Sequence, residues 1–401
     1  MKKGLISILS LGLAVVMTAG CCGDAARVGA TLPAWSEGEI DIHTISTGRG
    51  ECLYIILPDG TDIIVDAGEF SRESKNYANV SQRPNAEVRP TKVFGDYIRH
   101  FMPQGKSAVE YFNLSHFHMD HMGNIEKEYV QSEEGDYTLT GVMALYHHVP
   151  FREVIDRAYG AYDSLAVKAM SVNVLEQYKR FIAHNTAKGT LKATQFELGA
   201  VNQFAMQYNA AAYPNCRVEN VCTNGYVWDN GTAINVYEGI RDKIRENASS
   251  CGFVIRYGAF DFLTAGDIGD YEDLELKVAS VVGDVDAVKA HHHLSPHSMC
   301  QPSMEILKPE VLVATSFYQR EIQPDKSKFG YITEGGCDIY CTSVEPSFAA
   351  EDPEAYSKCA ELNGHIVIRV AKGGDSYTVY TLDDSNDKYR VKQICGPYSC
   401  K

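Results

Sequence analysis

The chain has 401 residues, of which 45% are hydrophobic and 22% charged, enough to bury a large core. The formal net charge of −15 disfavours binding of nucleic acid over a broad surface, because such binding needs basic residues that displace counterions. A small phosphate-binding pocket is compatible with this charge. Length alone permits two or three domains. The motifs described below must converge on one site, so we predict a single domain over 41–401.

The N-terminus has the order of a secretion signal. A basic start precedes an apolar run over 5–17 that is too short to span a bilayer, and small residues stand directly before Cys21. We predict a signal peptide over 1–20 and an exported chain. Lipidation of Cys21 would anchor it to the cell-envelope membrane as a bacterial lipoprotein, and plain cleavage with secretion is the alternative. Residues 21–40 are predicted to be a tether.

The next stretch, 41–68, is predicted to form two or more strands. Asp66 stands at the end of an apolar run, where a buried carboxylate needs hydrogen-bond or charge partners. A turn-capping role is the alternative for this aspartate. A helix is predicted over 91–102.

The apolar run 109–114 predicts a buried strand that leads into a loop with three histidines and an aspartate. His116 and His118 are two residues apart, so in extended backbone their side chains leave the same face and can meet one ion. Asp120 and His121 follow where the chain turns, and can reach a second ion. Imidazole and carboxylate together suit Zn²⁺, one or two ions, with Mn²⁺ or iron as less selective alternatives.

The middle of the chain carries weaker signals. Residues 141–146 are predicted to be a strand and 151–186 to be helical, because apolar residues recur there at helix-like intervals. The whole stretch from about 149 to 245 is predicted to be a helical insertion. It either roofs the site or elaborates the surface away from it.

The C-terminal half alternates strands with candidate ligands. Paired strands are predicted over 252–257 and 260–265, directly before Asp267. A strand over 285–290 leads to the run of three histidines at 291–293, and a late hairpin is predicted over 365–381.

Twelve cysteines fit an exported chain, and ten of them follow Cys22. In an oxidising compartment these ten are disulfide candidates, and five lie after residue 330. We predict structural disulfides, mostly in the C-terminal third, whose pairing cannot be read from sequence.

Four blocks in order resemble the metallo-β-lactamase superfamily and, within it, the ComEC-like branch. They are the hairpin 41–68, the His-x-His-x-Asp-His motif at 116–121, Asn247-Ala-Ser-Ser250 with its strands up to Gly266-Asp267, and the strand ending in the histidine run. The resemblance implies an α/β fold, the αββα sandwich of two mixed β-sheets flanked by helices.

The resemblance also implies the ligand set. His116 and His118 would bind the first ion, Asp120 and His121 the second, and Asp267 would bridge both. One of His291 and His292 would join the second ion, with the choice between them open and with another imidazole of the run free to face an anionic group of the substrate.

Two further residues acquire roles from the resemblance. Asp66 would orient a ligand imidazole. Asn247 stands where most of the superfamily has a third ligand histidine, so its carbonyl oxygen or a water would fill the first site; His147, His148 or His184 are alternative replacements.

The function implied by the resemblance is an exported metal-dependent hydrolase. Asp120, Asp66 and Asn247 would serve catalysis, and metal-bound hydroxide would attack a small-molecule or cell-envelope phosphodiester. An acyl hydrolase of lactams or lactones, and a metal-binding surface protein without activity, are the alternatives.

Overall fold

The computed structural model describes residues 26–70, 81–164, 172–316, 323–344 and 347–401. The predicted signal peptide and Cys21 lie outside these residues. Within the described ranges, no helix combines the length and the apolar character needed to cross a membrane.

The described strands fall into two sheets of nine strands each. In chain order they are β1 (Ile40–Thr44), β2 (Leu53–Ile56), β3 (Asp62–Val65), β4 (Val109–Leu114), β5 (Phe151–Asp156), β6 (Lys192–Gln195), β7 (Cys216–Thr223), β8 (Tyr226–Asp229), β9 (Thr232–Asn235), β10 (Gly252–Tyr257), β11 (Phe260–Thr264), β12 (Ala287–Lys289), β13 (Val311–Ala314), β14 (Asp338–Cys341), β15 (Cys359–Leu362), β16 (His365–Val370), β17 (Ser376–Leu382) and β18 (Val391–Ser399).

The described helices are short apart from two. They are α1 (Pro90–Phe101), α2 (Met119–Met122), α3 (Gly141–His148), α4 (Val172–Lys188), α5 (Leu274–Val282), α6 (Gln301–Leu307), α7 (Phe329–Glu334), α8 (Phe348–Glu351) and α9 (Pro353–Ser357).

Both sheets are mixed. The first has the order β18-β17-β16-β1-β2-β3-β4-β5-β6, antiparallel as far as β3 and parallel from β3 to β6. The second has the order β15-β14-β13-β12-β11-β10-β7-β8-β9, parallel from β15 to β11 and antiparallel beyond.

The core lies in three layers that follow from the alternation of side chains along each strand. On β2, Leu53 and Ile55 belong to the cluster between the two sheets, whereas Tyr54 and Ile56 belong to the cluster under helices α1, α3 and α4. Helices α5, α6 and α7 cover the outer face of the second sheet. The predicted αββα sandwich of two mixed sheets is therefore confirmed.

Two predicted elements in the middle of the chain are wrong. Residues 141–146, predicted as a strand, begin helix α3, because a short apolar run has no periodicity that separates strand from helix. The start of the predicted helix 151–186 is instead β5, a strand with β4 on one side and β6 on the other. The stretch 149–245 thus holds helix α4 and also supplies strands to both sheets.

The end of the predicted tether packs on the sandwich. The amide of Gly29 donates to the carbonyl of Val391 over 2.8 Å, and the amide of Val391 donates to Ala30 over 2.9 Å. Leu32 is buried, and Arg369 donates to the carbonyl of Pro33. From residue 26 onward, this segment is therefore part of the folded domain.

The predicted disulfides are not formed. All ten cysteines among the described residues are free, and six of them are buried. Burial raises the pKa of Cys222 to about 12, so this thiol stays protonated and packs as a small apolar side chain.

Candidate metal site

The candidate ligands lie where strands of both sheets end. Asp66 follows β3, and the motif 116–121 follows β4, its parallel neighbour. In the second sheet Asp267 follows β11, and the run 291–293 follows β12, again a parallel neighbour. The carboxyl ends of neighbouring parallel strands share one edge of a sheet, so the topology brings these residues together.

The first ligand group consists of His116, His118 and Asp267. Nε2 of His116 lies 3.1 Å from Nδ1 of His118 and 3.8 Å from Oδ2 of Asp267. Nδ1 of His116 lies 3.0 Å from Oγ of Ser115, and that hydroxyl donates to Asp66. This pattern assigns the proton of His116 to Nδ1 and leaves the Nε2 lone pair for the group.

The second ligand group consists of His121, Asp267 and His293, with Glu51 directly behind it, its Oε2 3.2 Å from Nδ1 of His293; all four residues are buried. The Nε2 atoms of His121 and His293 are 3.3 Å apart, and Oδ2 of Asp267 lies 3.2 Å from the first and 3.3 Å from the second. The same Asp267 oxygen is thus the common member of both groups.

Asp120 adds a further carboxylate to the second group. Its Oδ2 lies 3.2 Å from Nε2 of His293 and 3.7 Å from Nε2 of His121. The Asp120 side chain is 16% exposed, whereas the other members of the group are buried. Asp120 therefore stands on the side of the site that opens to solvent.

Asp66 holds the histidine motif from behind. Its carboxylate accepts hydrogen bonds from the backbone amide and the hydroxyl of Ser115, both over 2.7 Å, and from Nδ1 of His121 over 2.7 Å. The last bond fixes the tautomer of His121, so that its Nε2 lone pair faces the second group. The structure therefore places Asp66 where the predicted orienting role needs it.

The loops around the site touch backbone to backbone. A Cβ on Gly68 would lie 1.6 Å from the carbonyl oxygen of Asp120, and that oxygen accepts a hydrogen bond from the amide of Glu51. Only glycine permits this approach, so the sequence Asp66-Ala-Gly68 ties three ligand-bearing loops into one unit.

The histidine run differs from its predicted arrangement. His293, which was not among the predicted ligands, is the imidazole in the second group. His291 points away and pairs through Nδ1 with Oε1 of Glu275 at 2.9 Å. His292 lines the site, with Nε2 at 3.9 Å from Oδ2 of Asp267. That any of these three imidazoles binds a metal ion stays a prediction.

Asn247 contacts His292 at the site, and the first ligand group contains no third histidine. Its Nδ2 donates to His292 over 3.2 Å, and its Oδ1 is buried without a hydrogen-bond partner among the described residues. His147, His148 and His184 belong to neither ligand group. The side-chain carbonyl oxygen of Asn247, which the sequence singled out, is therefore one of the buried acceptors of the site without a hydrogen-bond partner among the described residues.

Besides the place of His293, two site residues were missed by the sequence analysis. Glu51 stands in the predicted first hairpin, between Gly50 and Cys52, and Lys289 ends the strand before the histidine run. Each is a charged side chain at the end of an apolar segment, and that is the signal that could have revealed them. Both are fully buried.

The electrostatics of the site favour a cation. Burial lowers the pKa of His293, but Asp267, Asp120 and Glu51 outweigh it and raise this pKa to about 10. For His121, burial again opposes the shift, and the carboxylates of Asp267 and Asp120 raise its pKa well above the usual range. The carboxylates thus draw positive charge onto these two imidazoles.

The donor set fits divalent metal ions. The Nε2 atoms of His121 and His293 are 3.3 Å apart and need a positive charge between them. Neither oxygen of the buried Asp267 carboxylate accepts a hydrogen bond from the described residues. Histidine nitrogen with carboxylate oxygen suits zinc, and manganese or iron as well, and sharing one carboxylate is typical of paired ions.

No family model matches the sequence, and no curated protein is similar to it. Among solved structures, the chain is similar to the metallo-β-lactamase fold protein YhfI from Bacillus subtilis, with 11% identity and a TM-score of 0.39 over 84% of this chain and 98% of that one. It is also similar to the short form of human tRNase Z, with 12% identity and a TM-score of 0.34 over 70% of this chain and 93% of that one. The fold assignment rests on the sheets and helices of the chain itself.

Proposed function

We propose that this protein is a metal-dependent hydrolase of the metallo-β-lactamase superfamily, of the ComEC-like branch, that cleaves phosphodiesters. The observation that carries the proposal is the membership of Asp267 in both ligand groups. A carboxylate shared in this way supports two ions side by side, which is the arrangement used for in-line displacement at phosphorus.

Different residues of the site would hold each of the two ions. His116 and His118 would hold the first, and His121, His293 and Asp120 the second, with Asp267 between them. When bound, the ions would supply Lewis acidity toward a phosphoryl oxygen and lower the pKa of water to about 7.

Other side chains prepare the site for substrate. Asp66 fixes the ring of His121 by its 2.7 Å hydrogen bond, so this ligand needs no reorientation during turnover. His292 is 12% exposed and its Nδ1 lies 3.0 Å from Oγ of Ser295, which holds the ring at the rim of the site. His292 and Asn247 are the side chains that we expect to contact the substrate.

Two features favour a phosphodiester over a lactam or lactone. The first group has only two histidines, and the Asn247-Ala-Ser-Ser250 block takes the place of the third, as in the ComEC-like branch. The chain has a net charge of −15, so we expect a small-molecule or cell-envelope substrate rather than long nucleic acid.

The test combines metal analysis with turnover. Freshly purified protein should carry one to two zinc-like ions and hydrolyse bis-p-nitrophenyl phosphate or p-nitrophenyl phosphorylcholine. Turnover of nitrocefin with inert phosphodiesters would replace the proposal by an acyl hydrolase. Metal without any turnover would favour a binding protein, and absence of transition metal would overturn the metal site itself.

We propose that the protein works outside the cytoplasm, as the segment 1–21 predicts. Expression of the full chain in a bacterial host with labelled palmitate should give a membrane-bound, labelled protein, and Cys21→Ala should remove the label. A full-length, unprocessed protein in the cytoplasm would contradict export.

A further inference from the structure

Lys289 is buried among the candidate ligands. Its side chain is 0% exposed, and its ammonium Nζ lies 2.7 Å from Oε2 of Glu51 and 3.9 Å from Oδ1 of Asp267. Nζ also donates to the carbonyl oxygen of Gly266 over 3.3 Å. A buried ammonium group costs several kcal/mol unless anions surround it, so its position depends on these carboxylates.

Glu51 connects this lysine to the second ligand group. The same Oε2 atom that contacts Lys289 lies 3.2 Å from Nδ1 of His293. The relationship parallels that of Asp66 with Nδ1 of His121. In both cases a buried carboxylate stands behind a histidine whose Nε2 faces the other ligands, an arrangement that sets the ring orientation.

The site holds four carboxylates, those of Glu51, Asp66, Asp120 and Asp267. In the part of the chain that the structure describes, Lys289 is the only lysine or arginine that forms an ion pair with any of them. Among the described residues it therefore supplies the fixed positive charge of the site, and the other positive charge that these residues can carry there is on protonated imidazoles.

We propose that Lys289 is the resident cation of this metal site. Its ammonium group holds Glu51 and Asp267 in the folded chain before metal ions enter, and Glu51 in turn orients His293. The inference rests on the proposed metal site, but not on the identity of the substrate.

The first test compares Lys289 with Lys106, whose side chain is 10% exposed and also pairs with two carboxylates. Lys106 contacts Asp62, at 2.6 Å, and Glu110, and none of these three belongs to a ligand group, so Lys106→Met is the matched control for Lys289→Met. Thermal unfolding of each full-length protein is measured with a chelator and with saturating zinc.

Both variants should unfold below wild type in chelator, because each leaves buried carboxylates without their cation. Zinc should raise the Tm of Lys289→Met by more than it raises the Tm of wild type or Lys106→Met, because metal charge replaces the lost ammonium only in the ligand site. A zinc-induced rise for Lys289→Met equal to or below that of wild type overturns the proposal.

The second test uses Glu51→Gln, which probes the link from Lys289 through Glu51 to His293 and does not require Lys289→Met to fold. This change removes the charge behind His293, so affinity for the second ion should fall about 10- to 100-fold, with the first ion retained. Two ions bound with wild-type affinity would overturn the orienting role.

The outcomes separate this inference from the proposed function. Wild-type protein that binds zinc but hydrolyses no phosphodiester would end the functional proposal and leave the role of Lys289 testable by the same stability measurements. Wild-type protein without affinity for zinc would overturn both.

Discussion

The side-chain carboxylate of Glu246 accepts a hydrogen bond from the backbone amide of Phe117 over 2.8 Å. Phe117 is the residue between His116 and His118, so this bond holds the peptide that carries the first ligand group. Arg157, which is 1% exposed, donates to both oxygens of Glu246 over 3.0 and 2.6 Å and stacks over the Phe117 ring at 4.5 Å. A buried ion pair therefore connects the loop that carries the candidate ligands His116 and His118 to the rest of the sandwich.

Glu246→Gln should weaken the binding of the first ion and also lower the stability of the fold. The change leaves the Arg157 guanidinium buried without an opposite charge, which costs about 3 kcal/mol, and loosens the loop between the two histidines. We expect about tenfold weaker binding of the first ion in zinc titrations, and a lower free energy of unfolding in urea. Glu219→Gln is the control, because Glu219 pairs with Arg256 and Arg217 on the second sheet and is 25% exposed. Unchanged zinc binding in Glu246→Gln would contradict this role of the ion pair.

Asp267→Asn should remove both ions rather than one. Its Oδ2 lies nearest the histidines of both ligand groups, and a neutral amide oxygen lacks the negative charge to serve both. Elemental analysis should show most of the metal lost, and phosphodiester turnover should fall steeply. Asp261→Asn is the matched control, since Asp261 lies on β11 and pairs with Arg256. Retention of one full equivalent of metal by Asp267→Asn would show that the groups do not share this ligand.

Asp66→Asn should act through His121. The asparagine Oδ1 can still accept from Ser115, but its Nδ2 would then face Nδ1–H of His121, so two donors would oppose each other. We expect about 10- to 100-fold weaker binding of the second ion in chelator competition. Asp59→Asn is the control, because Asp59 accepts backbone hydrogen bonds in a turn outside the ligand groups. Equal zinc affinity in wild type and Asp66→Asn would exclude the orienting role.

His365 should make the fold sensitive to mild acid. Burial lowers its pKa to about 3, and its Nδ1 accepts a hydrogen bond from the amide of Ser46, which requires the neutral ring. The unfolded chain binds a proton near pH 6.5, so the contribution is complete above that pH and is lost as the pH falls from about 6.5 toward 3, by up to about 5 kcal/mol.

The measurement is urea unfolding at several pH values between 4 and 7. His365→Asn retains an acceptor for Ser46 but cannot take up a proton, so its free energy of unfolding should depend less on pH than that of wild type. His147→Asn, on the exposed side of α3, should keep the wild-type slope. Identical slopes for wild type and His365→Asn would refute the assignment.

Individual strands and helices followed from the sequence wherever local patterns were long enough, whereas the fold class followed from the resemblance of the four motif blocks. The strand pairs at β10–β11 and β16–β17 and the helix α1 appear within one or two residues of their predicted bounds. The shorter segments failed, because the apolar run 141–146 suits a buried helix as well as a strand. The position of β5 depends on its pairing with β4 and β6, which no local pattern contains.

The sequence by itself determined the relative placement of the candidate ligands that are close in the chain. The spacing of His116 and His118 sets both rings on one side of an extended backbone, and only local geometry is involved. Glu51, Lys289 and Asp267 come from three distant segments, and only the packing of the two sheets brings them within contact distance.

The tertiary structure also decided which of the three histidines at 291–293 faces the candidate metal site. His292, His293 and Leu294 take φ values of 46°, 56° and 59°, a left-handed stretch in which the alternation of an extended chain does not apply. Side-chain direction there is set by contacts. His291 pairs with Glu275, whereas His293 is surrounded by Glu51, Asp120 and Asp267. Local spacing fixes direction only where the backbone is regular, and in this run the surrounding charges decide which imidazole faces the metal site.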